Sequence, residues 1–205
     1  MYEEALTEEG KEIFPRLAKF RDFYLVGGTA LALQIGHRRS IDFDLFTRER
    51  LSDRLLQQVK RVFAGLSVVM TYRVPGQLNV EIEGIKTTFF QFEYPVMEKL
   101  VEYQGVSIAT VKEIAAMKAL AIGKRMSYKD YVDWFFLLKE DRIKLPEVIN
   151  LAEKKYSGDF NDRLFLGQLA LVREVRQVPI DFLRESVEQE DIQNFLEEQV
   201  RNFEL

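Results

Sequence analysis

Two aspartates, Asp42 and Asp44, stand two apart in Ile41-Asp42-Phe43-Asp44-Leu45-Phe46. Alternation of apolar and acidic residues predicts a strand over 41–46, and in a strand positions i and i+2 share a face. Carboxylates side by side among Ile, Phe and Leu are costly unless something pairs with them, and a divalent cation does so. The alternative is a solvent-facing polar face. Just upstream, Phe23 to Val26 reads as a buried strand that stops at Gly27-Gly28, and Thr29 to Ile35 reads as a short helix. Glycines at a helix start let backbone approach a ligand and leave N–H groups free for phosphate. A glycine pair alone also fits a plain tight turn. Together the two features place anion binding and cation binding at neighbouring strand ends.

Other residues invite two readings each. Arg38 and Arg39, with His37 and Ser40, occupy the loop before the aspartates. The arginines suit a triphosphate or an RNA backbone, and His37 suits a structural hydrogen bond. Lys118 and Arg125 are seven apart and share a helix face, which is either functional or a solvated flank beside Ala121 and Ile122. Asp130 lies in Ser127-Tyr128-Lys129-Asp130, where an acid favours the positive start of a helix. Asp133 lies one turn further on the same face.

The elements that must position these residues change class along the chain. Residues 4–20 and 51–63 read as amphipathic helices, and 66–74, 78–83 and 85–93 as a meander of strands with Pro75-Gly76 and Gly84 between them. From Thr110 the pattern is helical. Thr110-Val111-Lys112-Glu113 is a capping box that opens a helix to about Gly123. Ser127 opens another to about Glu140, Pro146 suits the first turn of a third, and 159–175 and 188–203 are further helices. The expected fold class is α+β: a mixed β-sheet flanked by helices over 1–109, then a helical region over 110–205 that packs on the core and completes the site. No flexible linker marks the division.

Composition removes whole classes of chemistry. Among 205 residues there is no cysteine and one histidine, His37, so disulfides, thiolate or histidine zinc sites and cysteine nucleophiles are out. Carboxylate remains, and it suits magnesium. The net charge is −4, which argues against a general nucleic-acid-binding domain. Residues 181–205 carry eight acids (Asp181, Glu185, Glu188, Glu190, Asp191, Glu197, Glu198 and Glu204) against Arg184 and Arg201, a net of −6, leaving +2 elsewhere. A local patch of Arg38, Arg39, Lys124, Arg125 and Lys129 could still dock a transfer RNA acceptor stem. The acidic N-terminus is no signal peptide and no apolar run is long enough to span a bilayer, so the expectation is a cytoplasmic protein without a membrane partner.

Three ordered blocks carry a family resemblance. Gly27-Gly28-Thr29-Ala30-Leu31-Ala32-Leu33, Gly36-His37-Arg38-Arg39-Ser40 and Asp42-Phe43-Asp44-Leu45-Phe46 form the first, Met117-Lys118 through Lys124-Arg125 the second, and Lys129-Asp130-Tyr131-Val132-Asp133 the third. In order and spacing, over roughly residues 20–140, the chain resembles the AbiEii/AbiGii nucleotidyltransferase-like toxins and, more broadly, the polymerase-β-type nucleotidyltransferases. The resemblance implies magnesium-dependent transfer of a nucleoside monophosphate from an NTP to an acceptor hydroxyl on RNA, such as tRNA, or on protein. It implies the toxin of a toxin–antitoxin or phage-defence pair, with a cognate antitoxin as partner. Asp42 and Asp44 would hold the metal, and Gly27, Gly28, Thr29, Arg38, Arg39, Ser40 and Arg125 would bind the nucleotide. Lys118 would touch the nucleotide, and Asp130 would lie at the active site. One position departs from the pattern: Thr88 stands where the superfamily usually adds a third carboxylate. Glu81 and Glu83, expected on one face of the preceding strand, or Asp130, are the candidate substitutes. The alternative is therefore a catalytically degenerate nucleotide- or partner-binding module.

Overall fold

The structure is a computed structural model describing residues 1–203, so Glu204 lies outside the described residues. The chain divides into two units: Met1–Pro95 with Lys99–Thr110, and Val96–Glu98 with the residues from Val111 onward.

The first unit is built on a seven-stranded sheet. Its strands are β1 (Tyr24–Val26), β2 (Phe43–Thr47), β3 (Val68–Val74), β4 (Gln77–Ile82), β5 (Ile85–Gln91), β6 (Val101–Tyr103) and β7 (Val106–Ile108), in the order β3-β4-β5-β2-β1-β7-β6. β2 runs parallel to β5 and β1 parallel to β7, while the other neighbours are antiparallel. The sheet is therefore mixed, as expected. Its inner face alternates in register: Phe43 and Leu45 from β2, Phe89 from β5, and Leu78, Val80 and Ile82 from β4 are all buried. Phe20 covers that face, 5.0 Å from the Phe89 ring and 6.3 Å from Phe63.

The long N-terminal helix is broken. Only α1 (Glu8–Ile13) is α-helical, between 3₁₀ turns at Glu3–Ala5 and Phe14–Lys19. The Thr7 hydroxyl accepts from the Gly10 N–H at 3.1 Å and starts a new helix, and Pro15 interrupts the ladder after it. Helix α2 (Gly27–Ile35) begins two residues earlier than the periodicity suggested, at the first glycine, and nearly all of its side chains are buried. It ends at Gly36 in the left-handed region, where a side chain would strike the ring of Tyr2. Helix α3 spans Leu55–Val62. The β6–β7 hairpin was not foreseen. It turns on Gln104-Gly105, both at positive φ.

The second unit is helical, with α4 (Val111–Ile122), α5 (Tyr128–Lys139), α6 (Leu145–Tyr156), α7 (Asp162–Leu169) and α8 (Gln189–Arg201). α4 packs against α5, α6 and α7, and α8 closes against α5 and α7. The segment expected as one helix over 159–175 is α7 followed by a 3₁₀ turn at Val172–Glu174. No helix among the described residues is long and apolar enough to cross a membrane.

Candidate active site

The site in the first unit grows from a clash between strand and helix. β1 and β2 pair as Tyr24–Phe46, Leu25–Leu45 and Val26–Asp44. The next pairs outward would join Gly27 to Phe43 and Gly28 to Asp42, but both glycines already lie in α2. Phe43 stays in β2 through its pairing with Thr87 of β5, and Asp42 stands just before it, half-buried and outside the ladder. This corrects the expectation of one strand over 41–46. What fixes Asp42 instead is a hydrogen bond from the Thr29 hydroxyl to its carbonyl oxygen. A further hydroxyl–hydroxyl bond of 2.8 Å joins Thr29 to Ser40.

Asp44 is held against the glycine turn. Gly27 has φ +74°, and a Cβ placed there would lie 2.5 Å from Oδ2 of Asp44. The carboxylate thus occupies the space that a side chain at 27 would need. Gly28 leaves room of the same kind for Arg38, whose Nη2 lies 2.6 Å from the Cβ position. The residue before α2, Val26, supplies no side-chain cap, so the N–H groups of the helix's first turn are left to be satisfied by something other than a side chain at that position. A carboxylate and a helix start, groups whose charge suits a cation and an anion respectively, thereby share one small volume.

The loop residues sort differently from expectation. Arg38 is 3% exposed, and its Nη1 donates to the Arg39 carbonyl at 3.0 Å, so it does not belong to a solvent-facing basic patch. Arg39 is exposed and donates from Nε to the Glu4 carbonyl at 3.2 Å. His37 is wholly buried, in keeping with a structural role. Arg125 has a side chain 69% exposed.

The strand register settles which residue adjoins Asp44. Thr88 of β5 is its cross-strand neighbour, and Asn79 of β4 and Tyr72 of β3 continue the same row. Glu81 sits opposite Lys86, away from that row. Glu83 is not on a strand. It lies with Gly84 in the β4–β5 turn at φ 49°, its carboxylate accepting from the Ser67 N–H. Neither glutamate stands beside Asp44, and no group of three or more metal-binding side chains occurs among the described residues.

The helical unit holds a second cluster. Lys118 of α4 lies 2.7 Å from Asp130 Oδ1 and 2.6 Å from Asp133 Oδ2, both on α5. All three residues are buried, and Arg125 Nε reaches Asp130 Oδ2 at 3.4 Å. Burial by itself would push the Lys118 ammonium down, but Asp133 and Asp130 outweigh it and hold its pKa above the ordinary lysine value. Ser127 precedes α5 without a side-chain cap, and Asp130 turns to Lys118. Asp133 is as fully engaged as Asp130, which its spacing alone did not indicate.

A third cluster was missed altogether. Glu113, the last residue of the capping-box pattern, is wholly buried and paired with Lys155 of α6. Its Oε2 also accepts the N–H groups of Met97 and Glu98 at 3.0 and 3.2 Å. This carboxylate ties the 96–98 segment to the helical unit.

The mixed sheet, the glycine turn and the aspartate strand define a nucleotidyltransferase-like fold, and solved structures share it. A Helicobacter pylori protein classed provisionally as a nucleotidyltransferase superposes with TM-score 0.57 at 20% identity, covering 92% of this chain and 88% of that one. MenT4, a nucleotidyltransferase toxin from Mycobacterium tuberculosis, superposes with TM-score 0.51 at 14% identity, covering 89% and 76%. The particular family follows from sequence: the chain belongs to the AbiEii nucleotidyl transferase toxins of type IV toxin–antitoxin systems, matched over residues 11–205. An uncharacterized protein of Aquifex aeolicus is 34% identical over 208 residues, covering 97% of each chain.

Proposed function

We propose that this protein moves a nucleoside monophosphate from an NTP to a hydroxyl of an RNA or protein acceptor, in the cytoplasm, as a toxin restrained by a cognate antitoxin. The observation that carries this reading is the Asp44 carboxylate seated against Gly27 at the open start of α2. Asp42 and Asp44 would hold magnesium. Two carboxylates without a third suit an ion that takes its remaining ligands from water and substrate phosphates. Bound there, the ion would neutralise the triphosphate and activate the attacking hydroxyl.

The chain's own residues supply the rest. The N–H groups of Gly27, Gly28 and Thr29 receive phosphate oxygens. Arg38, with Arg39, adds positive charge beside that turn, and the Thr29–Ser40 hydroxyl pair fixes the backbone that carries Asp42. The acceptor oxygen bonds to the α-phosphorus as the bond to the bridging oxygen breaks, and pyrophosphate leaves. In the helical unit, Lys118 stays charged between Asp130 and Asp133, and we assign it, with Asp130 and Arg125, to the functional residues. Phe46, Phe90, Phe92 and Tyr94 form a chain of ring contacts beginning at Phe46, which shares the face of Asp44. Such a strip favours an acceptor that offers bases to stack, and so favours RNA.

The test is transfer of label from each α-labelled NTP, with magnesium, to total RNA and to protein, with the Asp42→Ala/Asp44→Ala double variant as blank. Label in one fraction, absent from the blank, supports the reading. An active blank sinks it. Thr88 beside Asp44 favours a second reading, a silent nucleotide-binding module. That module binds magnesium–NTP in calorimetry, labels nothing, and gains labelling in Thr88→Asp.

A further inference from the structure

Residues 176–188 run between the Val172–Glu174 turn and α8 without helix or extended strand. Contacts to α5 and to Glu140 at its end fasten this segment. The Phe182 ring lies 6.2 Å from that of Phe136, and Arg184 Nη1 lies 2.9 Å from Glu140 Oε1. Between the segment and the first turn of α5 lies a cavity of about 450 Å³. That volume falls within the range of sites that accept a compact ligand or a few side chains. Val178, Ile180, Phe182 and Val187 supply apolar walls. The polar groups are Ser186, Glu188, Gln177 and Tyr128, the last hydrogen-bonded through its hydroxyl to Gln177. Val178 is 36% exposed, an apolar side chain left at the surface where it lines the opening.

The charge around this groove is mainly acidic. Residues 176–191 carry Asp181, Glu185, Glu188, Glu190 and Asp191 against two bases, Arg176 and Arg184. Arg184 is committed to Glu140. The excess of carboxylate is the part of the acidic C-terminal region that the transfer chemistry does not use.

We propose that this groove is the docking site for a basic, apolar peptide segment of a protein partner. An apolar side chain enters between Val178, Ile180 and Val187, and flanking lysines or arginines meet Glu188 and its acidic neighbours. Charge chooses between the classes of macromolecule. A phosphate backbone is repelled by this rim, whereas a cationic peptide is attracted and oriented by it. The groove opens at the end of α5 that also carries Asp130 and Asp133, so an occupant adjoins the helix whose two aspartates pair with Lys118 of α4. The proposal does not depend on the transfer reading, because it is tested by binding alone.

The probe is a short fluorescein-labelled peptide with one leucine flanked by lysines, titrated against the full chain by anisotropy. Its companions are the same peptide with serine for leucine, one with glutamate for lysine, and a single-stranded RNA of equal length. The leucine–lysine peptide should bind saturably. Serine for leucine, and the variants Val178→Glu and Glu188→Lys, should each weaken it at least about tenfold. Both variants alter exposed side chains, and unchanged circular dichroism verifies their folding. Equal affinity for wild type and both variants overturns the proposal, because binding is then diffuse charge attraction. RNA binding that Val178→Glu abolishes overturns it in favour of nucleic acid. Self-association of the chain that Val178→Glu abolishes overturns it in favour of a second copy.

Discussion

Replacing Gly27 with alanine separates two demands that the glycine turn meets, one from the backbone and one from Asp44. Gly27 has φ +74° and Gly84 has φ +80°, so alanine at either carries left-handed strain of about 1–2 kcal/mol. Their surroundings differ. A Cβ at Gly84 meets nothing within 4 Å, whereas one at Gly27 falls 2.5 Å from Asp44 Oδ2, against ordinary contacts of 3.4–4 Å. If the surroundings hold, the overlap costs about 1–3 kcal/mol more. If Asp44 swings aside instead, the penalty falls to the roughly 0.5–1.5 kcal/mol of an off-rotamer side chain, and the carboxylate leaves its place. Chemical denaturation of Gly27→Ala and Gly84→Ala, read as a difference, cancels the shared strain. Gly27→Ala should be the less stable, and its magnesium-dependent NTP binding in calorimetry should weaken by at least about tenfold, equivalent to about 1.4 kcal/mol. Gly84→Ala should bind like wild type. If the two variants match in both stability and binding, the closeness of Gly27 to Asp44 has no consequence and the proposed site is wrong.

Two further substitutions test the buried ion clusters. Lys118→Met removes the buried ammonium shared by Asp130 and Asp133 and should cost about 3–5 kcal/mol near neutral pH. In the wild type the Lys118 pKa is raised, so its contribution is complete below the ordinary lysine value, about 10.4, and is lost only as pH climbs through the higher folded value. Thermal melts should therefore show the gap between variant and wild type narrowing as pH climbs toward that raised value. A gap independent of pH contradicts this account. Lys155→Met likewise leaves Glu113 charged and buried, for about 3–5 kcal/mol. Adding Glu113→Gln should recover most of that loss in denaturant titrations, since the amide oxygen still accepts from Met97 and Glu98. A double variant no more stable than Lys155→Met means that the loss has another source.

What the sequence showed depended on how local the cause was. The Gly27-Gly28-Thr29 turn and Asp44 were legible because residue type, spacing and element agree within about twenty residues. The exact start of β2 was not, because α2 takes Gly27 and Gly28 away from the β1 side and pairing with β5 keeps Phe43 in the strand, a competition among three elements. The β6–β7 hairpin escaped because each strand has three residues, too few for a period, and only Gln104-Gly105 signalled the turn. The buried charges are a different case. Lys118 pairs with residues 12 and 15 positions away, and Glu113 with one 42 away, so no short window contains both partners. A signal was nevertheless present. Apart from Lys112, Glu113 and Lys118, α4 is composed wholly of Val, Ile, Ala, Met and Leu, and a helix apolar on every side must be buried on nearly every side. Of its three charges, Lys112 reaches the surface and pairs there with Glu147, while Glu113 and Lys118 go inside. A charge forced inward requires an opposite charge from a neighbouring helix, and α5 and α6 carry those charges at Asp130, Asp133 and Lys155. The composition of α4 thus dictates that its ions be paired, while only the folded arrangement of the helices names their partners.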